Sequence, residues 1–244
     1  MRLWSLGLGC VAVMGLGWGL VAATRQSPET VIGEYVTSLQ GRTANQRHNA
    51  LLAVKRLDGI VIAPGETFSF NKVAGPWSRD RGFRRAPVSF GGNLVDQWGG
   101  GVCQTSSTLY NAAMLSSMGF VERHPHHHAP DYIAPGRDAA VAFPNIDLKF
   151  RNPRRVPVTI SAAISGNTLR IAILSRDARG DQPRIVQRVL NQRQPLTITV
   201  AGDSQRLRNP GKFGHEVETF RVTRDGKELL SRDSYPVMHR VEQR

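Results

Sequence analysis

Cysteine is scarce in this sequence, and its scarcity limits the chemistry that the chain can carry. Cys10 and Cys103 are the two cysteines among 244 residues, and Cys10 lies in an uncharged run over residues 3–23. Without Cys10, Cys103 has no partner for an intramolecular disulfide, and a zinc site built from several cysteines is excluded. In an exported chain a lone thiol is buried, paired between chains or reactive, and composition leaves these three interpretations open.

The N-terminal apolar run predicts export. Arg2 precedes it, and Val21, Ala22 and Ala23 form an acceptable small-residue cleavage site. The run is also just long enough to span a bilayer. We therefore interpret residues 1–23 as a signal peptide or a membrane anchor, followed by a polar linker over 24–34. The protein is expected in the cell envelope, either membrane-anchored or in the periplasmic or extracellular space.

Acidic side chains are few. The chain has 19 Asp and Glu against 32 Lys and Arg, which gives a formal net charge of +13. Such an excess favours an acidic partner. The sequence has no recognisable nucleic-acid-binding motif, so we expect no nucleic acid and favour an anionic envelope polymer or lipid surface. A solvated basic surface without a specific partner is the alternative.

Hydrophobic periodicity predicts an α+β fold. Apolar residues recur every three or four positions over 32–39 and again over 50–57, which predicts two N-terminal helices. Short or alternating apolar runs between residues 60 and 70 and from 140 onward predict strands, with a hairpin turn at 165–167. We expect N-terminal helices and a Cys-bearing helix packed on a mainly antiparallel β-sheet, followed by a β-rich C-terminal part over 176–244.

The stretch around Cys103 is the strongest candidate for chemistry. Gly99, Gly100 and Gly101 allow a tight turn, and the hydroxyl residues at 105–108 with an apolar pattern behind them predict a helix start. Cys103 is then at or just before a helix N-terminus, where the dipole favours the thiolate. N–H groups of the turn are also suited to stabilising an oxyanion. The alternative is a buried structural cysteine behind a turn that only allows close packing.

Four of the seven histidines fall within residues 124–128. A zinc site is one interpretation, although adjacent histidines reach a single ion only from a bent loop. The other is that one histidine is the base for Cys103, with a carboxylate orienting its ring. For His127 and His128, a surface position without a role is the alternative.

Five separated motifs occur in a distinctive order. They are residues 64–71 (PGETFSFN), the Gly-rich segment at Cys103-Gln104, residues 122–126 (ERHPH), Tyr132 with residues 136–139 (GRDA), and residues 147–152 (DLKFRN). In this order they resemble VanW-like proteins. The resemblance covers residues 35–175, which we interpret as one domain.

The resemblance implies a cysteine L,D-transpeptidase that acts on peptidoglycan stem peptides without a metal or cofactor. Cys103 would attack the carbonyl of the third stem residue, with His126 as the base and Asp138 or Asp147 orienting it. Arg137 would hold a substrate carboxylate. The remaining motif residues expected at the substrate are Gly100, Gly101, Gln104, Arg123 and Tyr132. The family is named after a vancomycin-resistance cluster, which implies a role in glycopeptide resistance or envelope maintenance.

Two other functions remain open. Water in place of an amine acceptor would make the protein a carboxypeptidase or endopeptidase. A non-catalytic module that binds peptidoglycan or an anionic polymer would explain the basic charge without using the thiol.

Overall fold

The computed structural model describes residues 28–90, 93–177, 182–201 and 206–243. The predicted export segment, residues 1–23, lies outside these ranges. Within them, no helix is both long and apolar enough to cross a membrane. The elements are, in chain order, β1 Thr30–Ser38, α1 Ala44–Leu57, β2 Val61–Ile62, β3 Thr67–Ser69, α2 Phe70–Ala74, β4 Arg85–Phe90, β5 Asn93–Trp98, α3 Val102–Leu115, β6 Gly119–Glu122, β7 Lys149–Arg151, β8 Val158–Ser165, β9 Thr168–Ser175, β10 Arg184–Arg193, β11 Thr197–Val200, β12 Arg206–Asn209, β13 Gly214–Thr223, β14 Gly226–Tyr235 and β15 Arg240–Gln243.

The main core lies between a four-stranded sheet and two helices. The sheet is antiparallel, with strand order β1-β9-β8-β2. Helix α3 packs on β1 and β9, while α1 packs on β8 and on α3. Almost every residue of α3 is buried, and Ala112 and Ala113 allow its close approach to neighbouring elements. The predicted α+β class, with a Cys-bearing helix on a mainly antiparallel sheet, is confirmed.

The helix predicted over 32–39 is wrong, because this segment is strand β1. The strand pairs with β9 along its length and begins within the segment interpreted as a linker. Thr37 and Leu39 are buried, whereas Val36 and Ser38 are exposed, so burial alternates as in a strand. A Cβ at Gly33 would lie 2.7 Å from the backbone of α3. The β-branched residues of this segment and its close packing on α3 decide its conformation, and the helical spacing of its apolar residues does not.

Helix α1 begins earlier than the predicted stretch at 50–57. Thr43 and Gln46 form a capping box, in which each side chain accepts a hydrogen bond from the other residue's backbone N–H. The helix ends at Leu57, before Asp58 and Gly59. The capping box fixes Gln46 beside the turn that leads into α3, where the candidate site lies.

The C-terminal part is β-rich, as predicted. It consists of an antiparallel sheet with strand order β10-β13-β14 and a second sheet with order β11-β15-β12. A small buried apolar cluster of Ala129, Val217 and Tyr235 joins this part to the loop after β6. The β10-β13-β14 sheet therefore packs directly on the segment that carries the histidines.

Candidate active site

A cavity of about 200 Å³ opens at the N-terminus of α3. Five residues predicted to be functional line it: Gly101, Cys103, Gln104, His126 and Tyr132. Arg42, the β4–β5 hairpin and Lys212 of the C-terminal part form other portions of its wall. The cavity therefore brings together groups from both ends of the chain.

Cys103 is the second residue of α3, which confirms the predicted helix start. The turn that precedes it is tightly packed: Gly101 has a φ of 105°, and a Cβ there would lie 2.3 Å from the backbone oxygen of Gln46. A Cβ on Gly100 would lie 2.7 Å from the carbonyl oxygen of Ala86. Both glycines thus allow α1 and β4 to approach the nucleophile. Gly100 is fully enclosed and does not line the cavity.

The thiol of Cys103 and the imidazole of His126 line the same cavity and each shifts the pKa of the other, while Cys103 Sγ donates a hydrogen bond to the carbonyl of Val141 at 3.4 Å. Burial raises the pKa of Cys103, but the hydrogen bond and the charge of His126 outweigh burial, so that its pKa is lowered overall. Burial likewise opposes the charged imidazolium, yet the hydrogen bonds to Asp138 and Cys103 raise the pKa of His126 to about 10. Both shifts favour the thiolate and the imidazolium over the neutral pair.

Asp138 orients His126 through two hydrogen bonds. Its Oδ2 accepts one from His126 Nδ1 at 2.6 Å and one from the His126 backbone N–H at 2.7 Å. Because Nδ1 is used in this way, Nε2 is the nitrogen available to the sulfur. Burial raises the pKa of Asp138, but the hydrogen bond and charge of His126, together with Arg123, lower it overall. Asp138 is fully buried, and its lowered pKa keeps it in the carboxylate form that holds the ring.

The polar face of α3 fixes the segment that carries Asp138. Ser106 Oγ donates to the carbonyl of Ala139 at 2.6 Å, and the N–H of Ala139 donates to Ser107 Oγ at 3.0 Å. Asn111 Nδ2 donates to the Arg137 carbonyl at 2.7 Å. The hydroxyl-rich run after Cys103, which signals a helix start in the sequence, thus also places the carboxylate next to the nucleophile's histidine.

Two residues of the C-terminal part that the sequence analysis missed, Tyr235 and Asp233, lie near Asp138. Tyr235 contacts Asp138 directly, and Asp233 does so through Arg123. Tyr235 Oη donates to Asp138 Oδ1 at 2.5 Å, and Arg123 Nη2 donates to the same oxygen at 3.1 Å. Arg123 Nη1 in turn donates to Asp233 Oδ1 at 2.5 Å. Arg123 does not line the cavity, so its guanidinium supports the carboxylate in place of the predicted contact with substrate.

Other predicted residues lie elsewhere. Arg137 is outside the cavity: its Nε donates to Asn111 Oδ1 at 2.6 Å, and its guanidinium lies 4.7 Å from the centroid of the Tyr35 ring. Asp147, the other carboxylate considered for His126, accepts hydrogen bonds from Ser69 Oγ at 2.5 Å and Asn71 N–H at 2.9 Å. The structure therefore assigns both side chains to internal packing.

The neighbouring histidines diverge. His124 pairs with Glu122 at 3.1 Å, and His128 Nδ1 lies 3.0 Å from the carbonyl of Pro236. His128 lines the cavity but has neither the thiol nor a carboxylate as a partner. In the described ranges, no three His, Cys, Asp or Glu side chains are grouped as metal ligands would be.

Tyr132 and Gln104 line the cavity with Cys103, and both contact Arg42. The Tyr132 ring stands edge-on to His126, with 6.5 Å between centroids, and its hydroxyl lies 3.3 Å from Ser107 Oγ. Gln104 is 2% exposed and donates to Thr37 Oγ1 and to the Ser38 carbonyl. Gln104 thus reaches the cavity while serving mainly to fix its surroundings.

Comparison with known proteins agrees with the motif order. A family described as "VanW like protein" matches residues 45–174, slightly more than half of the chain. The chain is 38% identical over 146 residues to "Uncharacterized protein YoaR" of Bacillus subtilis, covering 60% of this chain and 48% of that protein. It is 32% identical over 114 residues to "Vancomycin B-type resistance protein VanW" of Enterococcus faecalis, covering 44% and 41%. The chain thus spans under half the length of these relatives. No solved structure matches it.

Proposed function

We propose that this chain, which belongs to the VanW-like family, is a cysteine-dependent acyltransferase acting on peptidoglycan stem peptides. The proposal rests on the site, which brings Cys103, His126 and Asp138 together. The observation that carries the proposal is a series of three side chains: the Cys103 thiol, the His126 imidazole on the wall of the same cavity, and the buried Asp138 carboxylate that accepts two hydrogen bonds from His126. That series matches the requirement of nucleophilic catalysis for a base that is itself oriented by a third group.

In the proposed first step, the Cys103 thiolate attacks the carbonyl carbon of a stem-peptide residue and forms a tetrahedral intermediate. When the C–N bond breaks, the His126 imidazolium gives its proton to the leaving amine, and the acyl group remains on Sγ as a thioester. In the second step, the amine of a neighbouring stem loses a proton to His126 and attacks the thioester. The new amide bond releases the thiolate, and the proton stays on His126, which restores the starting pair.

The helix start supplies candidate donors for the oxyanion of each step. N–H groups in the first turn of a helix have no carbonyl partner within that helix. The Cys103 N–H is one of them, whereas the N–H groups of Val102 and Gln104 donate to Gly99 and Gly101. We propose the Cys103 N–H as one oxyanion donor, acting together with the positive end of the α3 dipole.

The basic charge supports a location at the cell envelope, where anionic polymers and lipid headgroups are available as partners. We propose that residues 1–23 direct export and that the protein contributes to envelope maintenance or glycopeptide resistance. The similarity to a protein named for vancomycin resistance supports the second role.

The decisive experiment incubates the purified protein with tetrapeptide stems and analyses the products by mass spectrometry. Transfer predicts cross-linked stems with loss of the terminal residue, and Cys103→Ala should abolish them while its circular dichroism spectrum stays unchanged. Shortened peptides without cross-links would favour hydrolysis. Unchanged peptides, combined with wall attachment that weakens steeply with salt, would contradict catalysis and favour the binding module.

A further inference from the structure

Arg42 is a positively charged group of the cavity wall whose orientation is fixed by neutral partners. Its Nε donates to Gln104 Oε1 at 2.9 Å, and Gln104 follows the nucleophile directly in α3. Its guanidinium lies 5.0 Å from the centroid of the Tyr132 ring, within the range of a cation–π contact. Because Gln104 is itself held by Thr37 and Ser38, the guanidinium is preorganised.

The charge of Arg42 is not neutralised within the described part of the chain. No carboxylate among those residues pairs with it, and its Nη groups keep their donors for another acceptor. Lys212, the other long cation of the cavity, differs in this respect: its Nζ pairs with Asp131 Oδ1 at 2.9 Å. A preorganised guanidinium without a counterion, on the wall of the cavity that holds Cys103, suits a planar anion.

We propose that Arg42 forms a subsite for a substrate carboxylate close to the bond that Cys103 attacks; this inference rests on the proposed function for the identity of the substrate. The two Nη groups bind the carboxylate end-on, because Nε already donates to Gln104, while Gln104 and Tyr132 keep the guanidinium in place. Such a subsite directs the enzyme to peptides with a free C-terminal carboxylate or an acidic side chain near the reacting carbonyl. Arg42 is then a specificity-determining residue. Its role is separate from that of His126, which exchanges protons, and that of Asp138, which orients His126.

Alkylation of Cys103 tests the subsite without requiring turnover. Iodoacetate and iodoacetamide form the same C–S bond and release iodide, but only iodoacetate carries a carboxylate. We expect wild-type protein to react with iodoacetate in a saturable manner. Arg42→Gln should lower the iodoacetate-to-iodoacetamide rate ratio by about tenfold or more, as for the loss of a charge-assisted hydrogen bond. Arg42→Lys should recover only part of this ratio, because an ammonium lacks the bidentate geometry.

Lys212→Gln is the matched control, because it also removes one positive charge from the cavity. The charge of Lys212 is already paired with Asp131, so Lys212 is not expected to bind the carboxylate of iodoacetate. The control variant should change the ratio by no more than about twofold. An unchanged ratio in Arg42→Gln, or an equal fall in both variants, would overturn the proposal. Transfer that fails in the stem-peptide experiment while the ratio still depends on Arg42 would contradict the proposed function and leave the subsite intact.

The source of the carboxylate is distinguished by protection of Cys103 from iodoacetamide. Three probes suffice: an acetylated dialanine with a free C-terminus, its C-terminal amide, and the amide with glutamate in place of the first alanine. Protection by the free acid alone identifies a terminal carboxylate, and protection by the glutamate amide identifies a side chain. Protection by none of the probes, or by all three equally, would contradict a carboxylate subsite.

Discussion

The two parts of the chain contribute to the candidate site in different ways. The family-matched region, residues 45–174, provides all three side chains of the proposed catalytic group: the thiol, the imidazole and the carboxylate. The β-rich part after residue 182 contributes Tyr235, which donates a hydrogen bond to the carboxylate, and Asp233, which pairs with Arg123. Neither residue takes part in a step of the proposed reaction. Chemistry and its electrostatic support are therefore divided between the two parts.

Burial follows the same division. In α3 even polar residues such as Thr105 and Thr108 are fully buried, whereas Val189 of β10 and Leu196 before β11 are 60% and 66% exposed. Among the described residues of the C-terminal part, few apolar side chains are buried, and Tyr235 is one of them. The packing of this part thus depends on the matched region, to which the Tyr235 hydroxyl is also joined by hydrogen bonds with Asp138 and Gly136.

The largest effect should come from the base within the matched region. His126→Ala removes the proton carrier and the positive charge that lowers the pKa of Cys103, so acylation should slow by about 10²–10⁴-fold. His128→Ala is the control, because His128 lines the same cavity without contacting the thiol. Burst-phase acylation of a chromogenic ester measures both variants. If His128→Ala were the slower of the two, the assignment of the base would be wrong.

A smaller effect is expected from the carboxylate at the boundary of the two parts. Asp138→Asn removes the charge that holds His126 as an imidazolium, so the pKa of His126 should fall and that of Cys103 should rise. We expect acylation to slow by about 10²-fold at neutral pH.

Asp147→Asn is the matched control for this prediction. It disturbs another buried carboxylate, which bonds Ser69 and Asn71, and should lower the melting temperature without moving the pH dependence of the thiol. The pH profile of acylation distinguishes the two variants. Equal pH profiles of acylation in Asp138→Asn and Asp147→Asn would show that Asp138 contributes to the stability of the fold and not to the pKa of the thiol.

The smallest effect should come from the C-terminal part. Tyr235→Phe removes the hydroxyl that donates to Asp138 and accepts from the Gly136 N–H at 2.8 Å. Unfolding free energy should fall by about 1–3 kcal/mol. Because the carboxylate is less firmly oriented, kcat should fall by about three- to tenfold with KM unchanged.

Arg232→Gln, in the same strand, is the control for Tyr235→Phe. The Arg232 side chain is 69% exposed and lies 3.9 Å from Glu218, so both kcat and stability should stay near wild type. If Tyr235→Phe lowered stability but left kcat and its pH profile unchanged, the C-terminal part would support only the fold.

Local sequence signals were sufficient for much of the fold and for the core of the site. The glycine turn correctly predicted a helix start beside Cys103, because glycine readily adopts the positive φ of the N-cap residue Gly101, whereas the hydroxyl run lies inside the helix and does not cap it. The turn at 165–167 likewise joins β8 to β9. Strand β1 was mispredicted because the spacing of its apolar residues fits a helix, and its pairing with β9 is a tertiary contact more than 130 residues away in sequence.

The supporting residues could not be predicted in the same way. Tyr235 lies 97 residues after Asp138, and no local pattern links them. The signal that was available is weak: Asp233 and Tyr235 share one face of β14, and aspartate is uncommon in strands unless it has a partner. Arg137 and Arg42 show the same limit, because the sequence identifies a guanidinium but not the groups that it contacts.

The central claim is that Cys103 is held as a reactive thiolate by His126, and the pH dependence of its alkylation by iodoacetamide tests this most directly. Wild-type protein should react with a midpoint below the ordinary pKa of a free thiol, since its pKa is lowered. In His126→Ala the midpoint should move above that value, because burial then acts without an opposing charge. A midpoint that is not lowered in the wild type, or that stays the same in His126→Ala, would contradict the account.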